Sequence, residues 1–177
     1  MTDFVAGIME KVQSLTEVGK SPKDMQKLIN VSEVFYVWDI MVMKFDILTT
    51  VMIMENFIKD NDLKLISTQV KKGLITGIED MEQIMQDHSI PFPARPPVSN
   101  HSTAILEDIT DEFIYQNFFE GVQSFFPVLA SGFMNSTSPK VRKVIKNHLL
   151  VTIELQEVIV EYGKLKGFLN PPPVYRT

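Results

Sequence analysis

The sequence predicts an all-α protein in which four long helices form a bundle. Four long segments carry apolar residues at helical spacing, and proline, glycine and helix-capping residues separate them. One connection is much longer than the others and contains four prolines. A chain of 177 residues is long enough to bury one sizeable core, so we expect a single main domain over residues 32–177.

The first long helix, predicted over residues 31–60, organises the rest of the chain. Its middle, residues 34–54, is apolar on nearly every side, as in a membrane span or the buried centre of a helical protein. Three charged residues, Asp39, Lys44 and Asp46, interrupt it. Each charge near the middle of a membrane span costs about 2.5–3.5 kcal/mol on insertion. The segment is therefore predicted to be the central helix of a bundle.

Residues 1–31 are predicted to form a helical appendage to the bundle. Residues 3–18 have the pattern of a short amphipathic helix that ends at Gly19. A second helix start follows, where Ser21 is the expected cap and Pro22 the first helical residue. The apolar stripe of the amphipathic helix consists of Val5, Ile8, Val12 and Leu15.

The second long helix is predicted over residues 62–88. It carries two interior glycines, Gly73 and Gly77, each of which costs about 1 kcal/mol relative to alanine. Close approach of another helix is the favoured explanation, and a ligand against the bare backbone is the alternative. The apolar stripe consists of Leu63, Ile66, Val70, Leu74, Ile78, Met81 and Met85.

A proline-rich crossover follows at residues 89–103. Fifteen residues in an extended polyproline path reach roughly 46 Å at about 3.1 Å each, while the second helix is about 40 Å long. The crossover is therefore predicted to run the full length of the bundle, which makes the second and third helices parallel. This up-down-down-up order with one long crossover is typical of ferritin-like four-helix bundles.

The third helix is predicted to begin near Asp108 and to bend at Pro127. The fourth is predicted to begin at Ser138 and Pro139 and to end at Gly167. Their apolar stripes are Ile114, Phe118, Val122, Phe125, Leu129 and Phe133 in the third, and Val141, Ile145, His148, Thr152, Leu155, Ile159 and Tyr162 in the fourth.

The tail after the fourth helix contains three prolines and is predicted to be extended and docked on the bundle. The residues expected to dock are Leu169, Val174 and Tyr175.

Composition and charge exclude several classes of function. A net charge of −5 and an isoelectric point near 5.2 argue against nucleic-acid binding, because the phosphate backbone requires basic surface. The absence of cysteine excludes disulfides, thiolate metal sites and cysteine nucleophiles. No secretory signal is visible, so we expect the chain to stay in the cytoplasm of the cell that makes it.

Metal sites were sought through the histidines. Ferritin-like bundles often hold two metal ions through glutamates and Glu-x-x-His motifs. The residues three positions before His88, His101 and His148 are methionine, valine and isoleucine, so the motif is absent. We therefore expect no catalytic residue, no cofactor and no metal. The remaining candidates for a metal ligand or proton relay are Asp39, Asp46 and His148.

The favoured interpretation of these candidates is structural. His148 is predicted to be a core-edge histidine whose ring nitrogens are satisfied by polar neighbours. The two aspartates of the central helix are predicted to pair with Lys44 or Arg142, or to face solvent.

Three stretches of the sequence share their pattern with one family: S-E-V-F-Y-V-W-D at the start of the central helix, S-I-P-F-P after the second helix, and G-K-L-K-G-F-L-N-P-P-P at the end. Residues 32–175 resemble the ferritin-like domain of unknown function of endospore-forming bacteria, which is related to spore coat protein F. The resemblance implies a bundle with a structural, coat-associated role in sporulating cells. Some family members carry a histidine near the position of Gly77, and this departure argues against an inherited metal site.

Three hypotheses for function follow. The leading one is a non-catalytic structural or interaction protein of the spore coat, in contact with itself and with other coat proteins. The second is a small-molecule-binding bundle, suggested by Gly73, Gly77 and the aromatic face of the third helix. The third is a divergent metal-binding protein.

Self-association is expected because the central helix is apolar around most of its circumference. A homodimer through the central or N-terminal helix is the predicted assembly. The core stripe of the central helix is predicted to be Phe35, Trp38, Met41, Phe45, Leu48 and Met52, which leaves Val37, Ile40, Ile47, Val51 and Met54 to be covered by other elements.

Overall fold

The computed structural model describes residues 18–96 and 109–175, together with positions 8, 11 and 15. Its four long helices are α1 (Val31–Met54), α2 (Asn61–Asp87), α3 (Asp111–Asn135) and α4 (Pro139–Lys166). A single helical turn and a 3₁₀ turn precede α1, and another 3₁₀ turn extends it to Phe57. The described part of the chain contains helices and no strand, so the all-α prediction is confirmed.

Side chains at the helix starts explain the boundaries. Asn30 and Glu33 form a reciprocal capping box at the start of α1. Asp60 caps α2. Ser138 caps α4 immediately before a proline, as predicted for that helix. Gly167 ends α4 in the left-handed conformation with φ of 72°, where a side chain would be strained.

The start of α3 differs from the prediction. The helix begins at Asp111, and the hydroxyl of Thr110 accepts the N–H of Phe113 at 3.1 Å. Asp108, the predicted start, lies outside the described residues. Asp111 also accepts the backbone N–H groups of Lys59 and Asp60 at 2.8 and 3.0 Å, so it fixes the start of α3 to the connection between α1 and α2.

The helix directions follow from contacts along their lengths. Early α1 residues lie beside late α3 residues, since a Cβ at Gly132 would meet Tyr36, while one at Gly121 would meet Ile47. Late α1 residues lie beside early α2 residues, since Lys71 pairs with Glu55 at 2.5 Å. Because α1 runs antiparallel to both helices, α2 and α3 run in the same direction.

The helix pair α2 and α4 is also antiparallel. Lys166 at the end of α4 pairs with the α2 cap Asp60 at 2.6 Å, and Lys140 at the start of α4 pairs with Asp87 at the end of α2. Within the described ranges, no helix is long and apolar enough to cross a membrane.

The apolar stripes of three helices were predicted well. All seven predicted stripe residues of α2 are buried. In α3 the prediction holds except that Phe133 is half-buried, and in α4 except that Leu155 is half-buried. Helical periodicity was sufficient for these helices because each has a polar face that marks the solvent side.

The orientation predicted for α1 is right only in part. Met41 and Phe45 are buried as predicted and Leu48 and Met52 are half-buried, but Phe35 and Trp38, also placed in the core by the prediction, are 57% and 43% exposed. The buried face consists of Glu33, Val37, Ile40, Met41, Lys44, Phe45 and Val51. These residues share one face because they are three, four or seven positions apart. The prediction turned the helix partly away from this face because two of its members carry charge.

The described part of the crossover folds back on the helices. His88 is buried, and its Nδ1 lies 2.9 Å from the carbonyl oxygen of Ile84. Farther along, Arg95 pairs with Glu82 of α2, and its guanidinium lies 6.0 Å from the ring centre of Phe45 on α1. The path thus begins to return along α2. Residues 97–103 of the predicted crossing lie outside the described residues.

The prediction of a docked tail is wrong beyond Leu169. The backbone N–H groups of Phe168 and Leu169 both donate to the carbonyl of Gly163, at 2.9 and 3.1 Å. Past this point the prolines hold the chain extended into solvent, and Val174 and Tyr175 are 84% and 89% exposed.

The amphipathic helix predicted over residues 3–18 is described only at positions 8, 11, 15 and 18. Ile8 and Leu15 are helical, in line with the predicted amphipathic helix, and are 48% and 79% exposed. Val5 and Val12 of the predicted stripe lie outside the described residues.

Candidate functional site

His148 of α4 lies in the core, and its partner differs from the predicted ones. The ring is 6% exposed, and its Nε2 lies 3.1 Å from Oδ2 of Asp80 on α2. The N–H does not point along this line, so Nε2 has a close carboxylate but no well-directed hydrogen bond. The prediction of fully satisfied ring nitrogens is therefore wrong for Nε2.

The two aspartates named as candidates do not join this histidine. Asp46 is exposed and Asp39 is half-buried, and both lie on the side of α1 away from its buried stripe. Arg142, one of their predicted partners, instead donates to the carbonyl of Ser136 and stacks on the ring of Phe133. Exposure to solvent is the correct reading for Asp46.

Lys44 is a charged residue that α1 contributes to the core beside the cluster of His148 and Asp80. Its side chain is 5% exposed and lies against the backbone of α2 at Gly77. A Cβ at Gly77 would fall 2.5 Å from Cε and Nζ of Lys44, so any side chain there would force the end of the lysine to move. The ammonium lies 4.8 Å from the ring centre of Phe125 on α3, a cation–π distance. Gly77 is thus explained by a lysine side chain and not by close approach of a helix.

Burial makes Lys44 an unusual cation. Desolvation lowers its pKa from 10.5 to about 8, and the negative charge of Asp80 opposes this shift. At neutral pH the amine is still protonated. Among the described residues, no carboxylate comes within salt-bridge distance of its Nζ. The protein therefore holds a buried positive charge that is only weakly compensated.

The same environment sets the charge of its two neighbours. Desolvation, together with the positive charge of Lys44, lowers the pKa of His148 from 6.5 to about 4, so the imidazole is neutral at pH 7. Desolvation raises the pKa of Asp80, and Lys44 opposes that shift. These three groups come from α1, α2 and α4 and form the Lys44–Asp80–His148 cluster.

A cavity of about 340 Å³ adjoins this cluster. It lies between all four long helices, and its wall includes Lys44 and His148. Gly73 also lines it, and a Cβ there would make only ordinary contacts, at 3.6 Å to Leu155 and 3.8 Å to Val151. Close helix packing therefore does not require this glycine. The apolar part of the wall consists of Ile47, Val51, Val70, Leu74, Phe118, Val122, Phe125, Val151 and Leu155.

No group suited to a metal ion is found in the described part of the chain, where three or more His, Asp or Glu side chains do not converge at any point. The three candidates Asp39, Asp46 and His148 are not brought together. His88 is engaged with a backbone carbonyl at the end of α2, and His101 lies outside the described residues.

Glu33 is a buried carboxylate that sequence reasoning passed over. Its side chain has no exposed surface. Oε1 accepts the N–H groups of Thr137 and Ser138 at 2.8 and 2.6 Å, and Oε2 accepts the N–H of Asn30 at 2.8 Å. Because three backbone donors surround it, this carboxylate has a structural role: it ties the start of α1 to the turn between α3 and α4.

Two residues of the cluster were missed for identifiable reasons. Lys44 stands in an apolar segment and was named only as a possible partner of the aspartates, although its spacing of eleven residues from Glu33 places both on one face after three turns. Asp80 lies beside Glu79 in a polar stretch that is typical of an exposed helix face. The sequence feature that could have identified the site is the single lysine in the apolar part of the central helix, together with the interior glycine Gly77 on the next helix.

The fold and the cluster define an all-α protein with a buried lysine beside a cavity that lies between the helices and is partly open to solvent. No protein-family model matches the sequence, and no curated protein matches it. Among solved structures, the chain is similar to the crystal structure of a "putative spore coat protein" from Bacillus halodurans. The identity is 19%, the match covers 84% of this chain and 96% of that one, and the TM-score is 0.76. This similarity establishes a shared fold.

Proposed function

We propose that this protein is a non-catalytic structural and interaction protein of the spore coat. The observation that carries the proposal is the shared fold with the Bacillus halodurans protein over 96% of that chain. The sequence resemblance to the ferritin-like coat-related family, found independently in three short stretches, supports the same role. Localisation to the coat in sporulating cells follows from it.

The arrangement we propose is a ferritin-like four-helix bundle. The antiparallel contacts of α1 with α2 and α3, and of α2 with α4, support it. The crossover supports it as well, since Arg95 already lies back along α2 beside Glu82. One long crossover between parallel helices is the connection that ferritin-like bundles use.

A structural role is also consistent with the contacts of two carboxylates, the buried Glu33 and the half-buried Asp111. Both carboxylate oxygens of Glu33 accept hydrogen bonds from backbone N–H groups. Asp111 does the same with the connection between α1 and α2. These carboxylates hold turns in place, as expected of a rigid building block.

Self-association as a homodimer is part of the proposal. Val31, Phe35 and Trp38 form an exposed apolar face on α1, with 86%, 57% and 43% of their surfaces accessible. Met134, near the end of α3 that lies beside these first turns of α1, is 73% exposed. We call Val31, Phe35 and Trp38 the α1 outer face. Exposed apolar patches of this kind mark contact sites, and a two-fold dimer is the commonest way to bury one.

The test of the coat assignment is localisation. A fluorescent fusion expressed under its own promoter in the spore-forming organism of origin is expected to form a ring around the forespore and to be extracted with coat proteins. A fusion that stays diffuse in the mother cell, and is absent from coat extracts of purified spores, would refute the assignment.

A second candidate function is the binding of a small molecule, and the cavity favours it. Its volume of about 340 Å³ lies at the lower end of the range for ligand pockets, about 300–1,000 Å³. Native mass spectrometry of protein purified from its source organism tests this candidate, which predicts a retained mass that is lost on denaturation.

A further inference from the structure

Lys44 is a buried charge whose counter-charge lies too far away to form an ion pair. Its nearest carboxylate, on Asp80, is outside salt-bridge distance in the described structure and is 46% exposed. Removing a charge from water without a close partner is expensive, and proteins normally pair such groups or neutralise them. The aromatic ring of Phe125 at 4.8 Å offsets part of this cost. A negative group placed against Nζ would offset more.

His148 supplies a second unused polar group at the same cavity. It lines the cavity, and its buried Nε2 has no well-directed hydrogen bond. A neutral imidazole carries one N–H donor, and that donor is able to serve a ligand oxygen as well as the carboxylate of Asp80. Two buried polar groups without good partners therefore meet at a cavity whose wall is largely apolar.

We propose that the cavity binds a small amphipathic carboxylic acid, with its carboxylate on the Lys44 ammonium and its hydrocarbon chain among the apolar side chains of the wall. The proposal rests on the second candidate function above and names its ligand class. A single buried cation matches a single negative charge. The hydrocarbon chain would lie between helices α2 and α3, where Val70, Leu74 and Phe118 form the wall.

The surrounding charges favour a carboxylate over a phosphate. Asp80 lies beside His148, and Glu120 of α3 lines the cavity as an exposed residue. A dianionic phosphate would face these two carboxylates with only Lys44 to balance it. A monoanion is neutralised by Lys44 alone, and like charges at close range are unfavourable.

Calorimetric titration of the full-length protein with octanoate and with 1-octanol tests the proposal. Octanoate is expected to bind at least about tenfold more tightly than octanol, since a charge-assisted contact contributes on that scale. Lys44→Met should weaken octanoate by about tenfold or more and leave octanol within about twofold. Lys72→Met, at an exposed lysine on α2, is the matched control and should change neither affinity.

Gly121→Leu tests whether the ligand lies in the cavity, and it leaves Lys44 in place. A Cβ at this position meets only Ile47, at 3.8 Å, so the larger side chain has room to enter the cavity. Both ligands are expected to lose binding. If octanol binds as tightly as octanoate, or if Lys44→Met leaves the preference intact, the carboxylate assignment is wrong. If neither ligand binds to the wild-type protein, both the carboxylate assignment and the proposed small-molecule-binding function are wrong.

Discussion

Oε1 of Glu33 accepts the backbone N–H of Ser138 at 2.6 Å, and this bond joins the start of α1 to the start of α4 across more than a hundred residues of chain. The same oxygen accepts the N–H of Thr137, and the other oxygen accepts that of Asn30. One buried carboxylate thus serves donors from two separate turns. Its removal would leave all of them without this partner, one in a buried site at Ser138 and two in partly buried sites at Thr137 and Asn30.

Glu33→Ala is therefore expected to lower the free energy of unfolding by about 2–4 kcal/mol, since each buried donor left unsatisfied costs about 1–3 kcal/mol. Urea unfolding monitored by circular dichroism measures the change. The control is Glu55→Ala, which removes a partly exposed ion pair with Lys71 and should cost about 1 kcal/mol or less. Equal losses in the two variants would show that the Glu33 bonds contribute no more than a surface pair.

The relation between sequence and structure differs among the four helices. The caps at Asp60 and Ser138 and the stripes of α2, α3 and α4 were predictable, because capping chemistry and amphipathic periodicity are local. The rotation of α1 was not, because its buried face carries Glu33 and Lys44. Glu33 accepts N–H groups from the turn between α3 and α4, and the side chain of Lys44 occupies the space that Gly77 of α2 leaves open. Both contacts are distant in sequence, and the local signal, the capping box of Asn30 and Glu33, marks the start of α1 and not its rotation.

The candidate site also depends on contacts between residues that are distant in sequence. His148 was identified from its place on an apolar stripe, but its partner, Asp80, is on another helix in a polar stretch. The position of Lys44 depends on Gly77, and that relationship exists only after α1 and α2 have packed. Of the three residues of the cluster, only His148 was therefore identified from the sequence, because it lies on an apolar stripe.

Replacing Lys44 is expected to stabilise the protein. Its pKa falls from 10.5 to about 8 on folding, so the folded state disfavours the charged amine by about 3 kcal/mol below pH 8. Lys44→Met removes that cost and keeps most of the apolar contacts of the side chain. The free energy of unfolding at pH 7 should rise by up to about 3 kcal/mol. A decrease would mean that the ammonium has a stronger partner than the structure indicates.

The pH dependence gives an independent check of the same cost. Below about pH 8 the amine is protonated in both the folded and unfolded states, and the cost is fully present. Between pH 8 and 10.5 the folded state releases the proton first, so wild-type stability should rise relative to Lys44→Met as pH increases. Urea unfolding of both proteins at intervals from pH 7 to 10 measures this difference. A constant difference would contradict the lowered pKa.

His148 is expected to make the protein sensitive to acid. Its pKa is lowered from 6.5 to about 4 on folding, so the unfolded state takes up the proton first as pH falls. Stability should therefore decline between pH 6.5 and 4. The charged groups facing the ring are Lys44 from α1 and Asp80 from α2, and Glu120 of α3 lines the adjoining cavity. His148→Gln should flatten the decline, measured against wild type by urea unfolding.

A nuclear magnetic resonance titration separates the causes of this shift. Since the positive charge of Lys44 contributes to it, Lys44→Met should raise the pKa of the His148 ring toward 6.5. Desolvation remains in that variant, so the rise should be partial. With three histidines in the chain, His148→Gln identifies the resonance. If the pKa of His148 is the same in Lys44→Met as in the wild type, the Lys44 ammonium and the His148 ring lie farther apart than in this structure.

The last prediction concerns assembly through the α1 outer face. The chain contains one tryptophan, Trp38, and it lies on this face with 43% of its surface exposed. If a second copy covers the face, the tryptophan emission should shift to longer wavelength on dilution as the homodimer dissociates. Phe35→Glu keeps this reporter and places a charge in the proposed interface. It should give a monomer by light scattering at micromolar concentration.

Leu65→Glu is the matched control, because Leu65 is 65% exposed on α2, a different helix, and its replacement should leave the dimer intact. A chain beginning at Lys20, which keeps the Asn30 cap and Val31, tests whether the predicted N-terminal amphipathic helix takes part, since its removal should preserve the dimer if the α1 outer face alone is sufficient. Burying a charge without a partner at an interface is strongly unfavourable, so a dimer that uses the α1 outer face should not form in Phe35→Glu. A wild-type monomer at micromolar concentration, or a Phe35→Glu protein of unchanged mass, would exclude this face as the site of self-association.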